Sequence, residues 1–425
     1  MKRAILLAPF LAIVVLISVW PGESWAIPAF ARKYGVNCTM CHSAFPRLND
    51  FGTRYRDNGY RLPGRENDER TVLQGPAPIA LRTSAGYDYE SFKNTPDAED
   101  VSQLRLGGLD LLSGGLLGRN IGYFVIYTPQ ITASRGVAGQ EGALEMANVV
   151  FPRLKTGWLN VRAGRFEPAF VAFSVKRHLS FSPYEIYDYT FPGGAAFSET
   201  QTGIEVFGHG ARGIHYAVGI LDGADSGPEG VNPADDSPGD LNLADDSPAD
   251  VYARASMVFG AGEGQTAGHR VGVVGYRGKS RYWIYDTATD PPTLLRRSDR
   301  KSYSRYGVDA SLNFAQVNVA LQYLWGTDDG GFWGATSDAD FSGGFAEVSY
   351  QPLTRLVGFA RYDRICTPDA AEEDRVSRYT VGGRYYLTDQ IALHGEYSRR
   401  AIGFRAAGED DATDRSFTAR LDFAF

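Results

Sequence analysis

Hydrophobic and polar residues alternate along much of the chain beyond residue 80, and the last ten residues show this pattern most clearly. Five hydrophobic residues recur at every second position there, namely Phe417, Ala419, Leu421, Phe423 and Phe425. Polar residues from Ser416 to Asp422 occupy the positions between them. Because side chains point to opposite faces at successive residues of an extended chain, a period of two predicts a β-strand.

The same pattern predicts about sixteen strands. They begin near Leu81, Gln103, Ile121, Gly142, Gly157, Thr202, Arg212, Ala249, His269, Ser304, Ala315, Gly343, Thr354, Ser377, Gln390 and Arg415. Short and long links alternate between them. The short links include 208–212, 314–316, 351–354 and 387–390, and the long ones include 91–102, 166–201, 222–248, 278–301 and 326–342.

An even number of strands with short turns at one end and long loops at the other is typical of a transmembrane antiparallel β-barrel. A soluble β-sandwich also has alternating strands, but it gives no reason for the link lengths to alternate. A last strand that ends on a phenylalanine is common in outer-membrane barrels. We therefore predict an all-β fold, with residues 76–425 forming a barrel in the bacterial outer membrane and both termini in the periplasm.

The amino-acid composition is compatible with a transmembrane β-barrel, but it is equally compatible with a soluble protein. The chain has 49 glycines, 13% aromatic residues and a formal net charge of −7, and its mean hydropathy is −0.26. Barrel strands that alternate apolar and polar residues average out as hydrophilic. The acidic balance argues against nucleic acid as a partner. Beyond residue 27, no apolar run approaches the ~20 residues that a transmembrane helix requires.

The first 26 residues have the features of a secretory signal peptide. Lys2 and Arg3 precede an apolar stretch that ends at Trp20, and Ser24-Trp25-Ala26 supplies a small-x-small cleavage pattern. An uncleaved membrane anchor is the alternative, although the Pro-Gly break and the cleavage pattern favour removal. Residues 1–26 are therefore expected to direct export and to play no part in the fold.

The sequence Asn37-Cys38-Thr39-Met40-Cys41-His42 contains two of the three cysteines in the chain. Cys-x-x-Cys-His is the attachment site of c-type haem. Cys38 and Cys41 would form thioether bonds to one porphyrin, and His42 would be the proximal ligand of the iron. A redox dithiol or half of a zinc site are the alternatives, but no thioredoxin-like βαβ pattern and no second ligand pair accompany the motif. One covalent haem c is therefore expected.

The sixth ligand of this haem is left open. Residues 43–69 contain neither histidine nor methionine, so the iron is either five-coordinate or bound by a distant residue. His178 lies in the long link 166–201, whose many aromatic residues suggest that it folds into the barrel lumen. His178 is therefore the leading candidate for a distal ligand.

Two further features carry weaker indications. The segment 234–248 contains Ala-Asp-Asp-Ser-Pro twice, and such clustered carboxylates either attract a hard cation or form a solvated surface loop. Cys366 lies near the outer end of a predicted strand and has no expected partner if both other cysteines hold haem. No function is assigned to either feature.

The N-terminal stretch resembles the fused monohaem cytochrome–porins of bacterial outer membranes, which include the iron-oxidising outer-membrane cytochromes. The resemblance is tight over residues 27–64 and only architectural over the barrel. It rests on four short sequences: Pro28-Ala29-Phe30-Ala31-Arg32, Cys38-Thr39-Met40-Cys41-His42, Pro46-Arg47-Leu48-Asn49-Asp50-Phe51-Gly52 and Asn58-Gly59-Tyr60. It implies that residues 27–75 form a small cytochrome segment that plugs a sixteen-strand barrel.

The resemblance also implies a function. Electrons would pass from extracellular Fe²⁺ through the haem to a periplasmic carrier such as a soluble cytochrome, which is the activity of an Fe(II):cytochrome c oxidoreductase. Three alternatives stay open: a substrate channel with an accessory haem, electron export to extracellular acceptors, and a haem peroxidase. No residue matches an iron-binding site of the family, and outer-membrane lipid is the expected surrounding of the barrel.

Overall fold

The structure is a computed structural model, and it describes most of the barrel and part of the segment before it. The described residues are 34, 40–44, 47–62, 71–74, 79–95, 99–118, 120–134, 137, 139–140, 142–175, 177–188, 200–222, 250–260, 268–280, 283–286, 293–297, 301–329, 338–367, 373–388, 390–405 and 410–424. The predicted signal peptide, Cys38 and the acidic segment 234–248 lie outside these residues.

Three short elements precede the barrel. Strands β1 (His42–Ala44) and β2 (Arg47–Leu48) pair with each other, and helix α1 (Asp50–Asp57) follows directly. The side chain of Asn49 caps the helix by accepting a hydrogen bond from the amide of Gly52 at 2.8 Å. This cap satisfies one of the amides that have no partner within the first turn of a helix.

Sixteen of the described strands form one closed antiparallel barrel. They are β3 (Ile79–Lys93), β4 (Val101–Gly118), β5 (Ile121–Thr128), β6 (Ala143–Phe151), β7 (Asn160–Phe166), β8 (Gln201–His209), β9 (Ile214–Leu221), β10 (Asp250–Phe259), β11 (His269–Ser280), β14 (Lys301–Phe314), β15 (Val317–Asp328), β16 (Ala339–Leu353), β17 (Leu356–Cys366), β18 (Glu373–Tyr386), β19 (Ile391–Phe404) and β20 (Ala412–Ala424). Each strand pairs with the next, and β20 pairs with β3 to close the barrel. The predicted fold class is confirmed.

Strands β12 (Trp283–Asp286) and β13 (Thr293–Arg297) form a separate hairpin within the link between β11 and β14. The sequence interpretation treated residues 278–301 as a loop without structure of its own, so this hairpin was missed. A two-stranded hairpin can pair without burying a face, and it therefore does not need the alternation that marks a barrel strand.

The two faces of the barrel wall differ as the alternation predicts. On β11, the outward residues Val271 and Val273 are 41% and 55% exposed. On the neighbouring β14, the inward residues Arg305 and Asp309 are 1% and 5% exposed. Buried carboxylates on the inner face are paired: Arg361 contacts Asp363 at 2.6 Å, and both side chains are fully buried. Such pairing is required because a buried charge without a partner is costly.

Candidate functional site

The link between β7 and β8 folds back into the lumen, as its aromatic composition predicted. Its described part, residues 167–188, is called the inner segment below, and it includes the short helix α2 (Glu185–Asp188). Phe170, Phe173, Tyr184 and Tyr187 of this segment are at most 5% exposed and form a hydrophobic core with residues of the inner barrel wall. The core of the molecule therefore lies inside the barrel, where aromatic side chains escape water.

Glu396 on β19 anchors one end of the inner segment. Its carboxylate accepts hydrogen bonds from the amides of Phe181 and Ser182 at 2.6 and 2.8 Å, and from the Ser182 hydroxyl at 2.5 Å. On β17, Arg361 donates to the Ser180 hydroxyl at 2.6 Å and to the Ser182 carbonyl at 3.0 Å. These contacts fix the path of the inner segment across the lumen.

Replacing Glu396 with alanine is expected to loosen the inner segment. The amides of Phe181 and Ser182 would lose their acceptor, and an unsatisfied buried amide costs about 1–3 kcal/mol. Hydrogen exchange at these two amides should therefore speed up by roughly 10- to 100-fold. A matched control is Tyr397→Phe on the outward face of the same strand, and it should leave both exchange rates unchanged. Unchanged exchange in the Glu396 variant would contradict this anchoring role.

Helix α2 is held by a cluster of charges on β17, β18 and β19. Arg378 and Arg400 contact the Glu185 carboxylate at 2.7 and 3.0 Å, and the amide of Glu185 donates to Asp363 at 3.2 Å. Glu185 is fully buried. Residues 180–185 of the inner segment are therefore fixed to β17, β18 and β19, which narrows the lumen at this point.

The N-terminal segment enters the same lumen, and Arg47 of β2 is its first contact there. This guanidinium forms an ion pair with Glu347 of β16, which is fully buried. It also donates to the Tyr184 hydroxyl at 2.9 Å and to the Asn318 side-chain oxygen at 3.1 Å. Arg47 thus joins the N-terminal segment to both the barrel wall and the inner segment.

Asp57, at the end of helix α1, makes the second contact with the wall. Arg162 of β7 donates to its carboxylate at 2.7 Å, and the His209 ring of β8 lies 2.9 Å from it. Burial alone would raise the pKa of Asp57, but Arg56, His209 and Arg162 hold this pKa well below its usual range. The carboxylate is therefore ionised and bound at neutral pH.

A close approach of two backbones makes the third contact. Gly59 follows α1 and has a φ of 67°. A Cβ atom built on Gly122 of β5 would lie only 2.6 Å from the Cα atom of Gly59, so the two backbones can approach this closely only because Gly122 has no side chain. Tyr60 stacks on Phe124 of β5 with the ring centroids 5.7 Å apart. Arg47, Asp57, Gly59 and Tyr60 are thus seated against the inner barrel wall. That the whole segment 27–75 is a cytochrome plug stays a prediction.

Cys41 and His42 lie immediately before these contacts. Both residues are partly buried, and burial raises the pKa of the free Cys41 thiol to about 11. The Cys41 carbonyl accepts a hydrogen bond from the amide of Asn49 at 2.9 Å, so the motif is tied to the start of α1. A thiol next to an imidazole is the donor chemistry of c-type haem attachment, and these residues fit that group. Cys38 lies outside the described residues, so its role stays a prediction.

His178 lies on the inner segment, as predicted, and its ring meets that of Tyr184 at 6.0 Å. Burial and the nearby Arg361 lower the pKa of His178 to about 3, and its Nδ1 atom has no hydrogen-bond partner among the described residues. It is therefore neutral at neutral pH and able to bind a metal through a ring nitrogen. Its role as a distal haem ligand stays a prediction.

The remaining histidines have local partners. His209 and His215 lie with their ring centroids 4.3 Å apart, and His394 contacts Glu396 at 3.2 Å. Across the described ranges, no three histidine, cysteine or acidic side chains are grouped so as to hold a metal ion. Cys366 is exposed at the end of β17, as expected.

Sequence reasoning missed the residues that seat the plug. Arg47 and Asp57 stand in a polar stretch of the N-terminal segment, and no local pattern marks them as lumen contacts. Glu347 is 300 positions from Arg47. One signal was present, since Arg47 belongs to one of the short sequences on which the family resemblance rests.

A family model described as Gram-negative porin matches residues 134–401, which is more than half of the chain. The chain belongs to the Gram-negative porin family. Solved porins agree with this assignment in fold. The outer-membrane channel DcaP of Acinetobacter baumannii has a TM-score of 0.56 and 10% identity, with coverage of 82% of this chain and 97% of that chain.

Two other solved structures show the same fold. The anion-selective porin from Comamonas acidovorans has a TM-score of 0.54 and 12% identity, and the match covers 82% of this porin and 99% of that chain. The trimer form of OmpT from Vibrio cholerae has a TM-score of 0.53 and 10% identity, with the same coverage. No curated protein matches the sequence.

The family and the fold place this porin in the bacterial outer membrane, with its outward apolar face against lipid. Both ends of the barrel wall, Ile79 and Ala424, lie on the side of the short turns, which is the periplasmic side in such barrels. Within the described part of the chain, no helix has the length and apolar character to cross a membrane.

Proposed function

We propose that this porin is an electron-transfer protein whose N-terminal segment, residues 27–75, carries one haem c into the lumen of the barrel. Electrons would pass between an extracellular donor, most concretely Fe²⁺, and a periplasmic carrier such as a soluble cytochrome. The haem would supply reversible one-electron chemistry at its iron. Cys38 and Cys41 would hold it covalently, and His42 would be its proximal ligand.

The ion pair between Arg47 and Glu347 is the observation that carries this proposal. Four residues lie between His42 and Arg47, so their Cα atoms are at most about 18 Å apart even in a fully extended chain. The haem-binding histidine is thereby tethered close to an anchor inside the lumen. A redox group held there lies between two aqueous compartments, which is the position that electron transfer across the outer membrane requires.

The seated segment also argues against free passage of solutes. The inner segment occupies part of the lumen, and Arg47, Asp57 and Gly59 of the N-terminal segment contact the barrel wall. A solute channel has no need for a haem-attachment motif on a segment that is bound inside its lumen. We therefore propose that the barrel serves as a housing for the redox group.

A solute channel with an accessory haem is the second candidate. The family model and the solved structures support this alternative more directly than they support electron transfer, because they are of porins and channels. Under this proposal the N-terminal segment would be a movable gate. Electron export to extracellular acceptors is a variant of the first proposal with the direction reversed.

Proteoliposomes distinguish the two functions. Purified protein would be inserted into vesicles that contain oxidised cytochrome c, and Fe²⁺ would be added outside without oxygen. The first proposal predicts fast reduction of the enclosed cytochrome by the wild type. The Cys38→Ser/Cys41→Ser variant, which retains the barrel, should support only the slow rate that leakage of Fe²⁺ allows. Equal rates for both proteins would mean that iron passes through the barrel, which supports the channel and overturns the electron-transfer role.

A further inference from the structure

A cavity of about 180 Å³ lies between helix α1, the inner segment and the wall strands β7 to β11. One water needs roughly 10–15 Å³ by the same measure, so this space accommodates a small ion together with several waters. Six arginines and four carboxylates line it. The arginines are Arg47, Arg56, Arg162, Arg177, Arg254 and Arg270.

The carboxylates of the lining are already engaged. Asp57 is bound by Arg162 and by His209, as described above. Glu205 accepts from Arg162 at 2.7 Å, and Glu167 accepts from the Val175 amide and Arg177, each at 2.8 Å. Asp50, the fourth, pairs with Arg54 at 3.0 Å. The four carboxylates therefore have little capacity left to neutralise further positive charge.

Three of the arginines retain donors that no described residue accepts from. Arg56 uses its Nε atom for Asp57 at 2.8 Å, and its two terminal nitrogens have no acceptor among the described residues. Among the described residues, Arg177 uses one terminal nitrogen, for Glu167. Arg270 uses one terminal nitrogen for the Ala172 carbonyl at 3.0 Å, and its Nε atom lies 3.5 Å from the Asp309 carboxylate, so its other terminal nitrogen has no acceptor in the described part of the chain. Its guanidinium lies over the Phe173 ring with 5.1 Å to the centroid.

These donors come from three separate parts of the chain. Arg56 belongs to the plug helix, Arg177 to the inner segment and Arg270 to strand β11. Several guanidinium groups around one enclosed space bind carboxylates and phosphates well, because each presents a planar pair of N–H donors and always carries its charge. The three arginines face one space only because the plug is seated in the lumen.

We propose that this cavity is a binding site for an oxyanion of the carboxylate or phosphate class, held by Arg56, Arg177 and Arg270. Two sources supply such a group. One is a propionate of the proposed covalent haem, since Asn49 lines the cavity and its amide donates a hydrogen bond to the Cys41 carbonyl. The other is a free anionic solute in the lumen. The site itself does not depend on the electron-transfer role.

Inorganic phosphate is the probe. Its affinity would be measured by calorimetry on the full-length protein in detergent, against chloride at matched ionic strength, for the wild type and for the haem-free Cys38→Ser/Cys41→Ser variant. Arg56→Gln, Arg177→Gln and Arg270→Gln should each weaken phosphate binding by about tenfold or more. Arg277→Gln is the matched control, because Arg277 lies on the same strand as Arg270, is exposed and does not line the cavity.

Each outcome bears on the proposal. Binding to the haem-free variant alone, with a lower haem midpoint potential in Arg270→Gln than in Arg277→Gln, supports a propionate as the natural occupant. Binding to both proteins supports a free anion. Phosphate binding no stronger than chloride binding in both proteins overturns the site. It is equally overturned if Arg277→Gln weakens binding as much as Arg56→Gln does.

Discussion

Replacing Arg47 with alanine is expected to unseat the N-terminal segment and to open the barrel to ions. The change leaves Glu347 fully buried without its cation, and removing one partner of a buried ion pair costs about 3–5 kcal/mol. It also removes the link between the plug and Tyr184. In planar bilayers, the variant should show ion conductance that the wild type lacks or shows only rarely.

A second variant separates loss of the plug from general damage to the barrel. Arg47→Ala/Glu347→Gln removes the unpaired charge, so it should regain most of the lost stability while the lumen stays open. If both variants conduct no more than the wild type, Arg47 is not the anchor of the plug. If the wild type already conducts freely, the lumen is not closed and the channel function gains support.

Replacing Arg162 with methionine is expected to cause the largest loss of stability. Arg162 is the cation shared by Glu205 of the wall and Asp57 of the plug, at 2.7 Å from each, and it is 5% exposed. Because two buried carboxylates lose a partner, the free energy of unfolding should fall by at least about 3–5 kcal/mol. Denaturant unfolding in detergent micelles measures this loss.

The effect of this substitution should depend on pH. The pKa of Asp57 in the folded wild type lies below the ordinary carboxyl pKa of 3.8. The ion pairs of Asp57 therefore stabilise the folded state fully above pH 3.8, and this stabilisation is lost as the pH falls through the folded pKa. The difference in stability between Arg162→Met and the wild type should therefore be full at neutral pH and shrink below about pH 4. Arg54→Met, at an exposed pair on the same helix, should change stability by less than about 1 kcal/mol. A deficit that does not vary with pH would contradict this account of Asp57.

The barrel could be predicted from sequence because its signal is local and repeated. In strand β20, hydrophobic residues alternate with polar ones. This pattern indicates one face against lipid and one face against the lumen, whatever the neighbouring strands are. The short turn at Ala315 and Gln316 likewise marks its own position between two alternating runs. The start of each of the sixteen strands was therefore predicted to within a few residues.

The plug contacts could not be predicted in the same way. Arg47 finds its partner on β16 and Asp57 finds its partners on β7 and β8, and these pairings exist only after the barrel has closed. The sequence around a charged residue in an irregular segment does not reveal whether its side chain is exposed to solvent or buried in an ion pair. The haem motif differs, because two cysteines and a histidine at fixed spacing carry their chemistry within six residues.

The porin family and the N-terminal motif describe two parts of one molecule. The family model matches residues 134–401, which hold barrel strands β6 to β18 and most of β19, and it leaves the N-terminal segment to be understood from its own residues. In the sequence, the Cys-x-x-Cys-His motif stands eight residues before a helix that is fixed to the barrel wall by Asp57. Our proposal of electron transfer assigns a role to both parts, and it requires the haem.

The most direct test of this account is therefore the haem content of the purified protein. The protein would be produced in a Gram-negative host that performs c-type haem maturation, extracted from its outer membrane and denatured in acidified organic solvent before its visible spectrum is recorded. The account predicts one haem per chain that stays with the polypeptide and is lost in the Cys38→Ser/Cys41→Ser variant. A wild-type protein that folds as a barrel without covalent haem would contradict the account and leave the solute channel as the function.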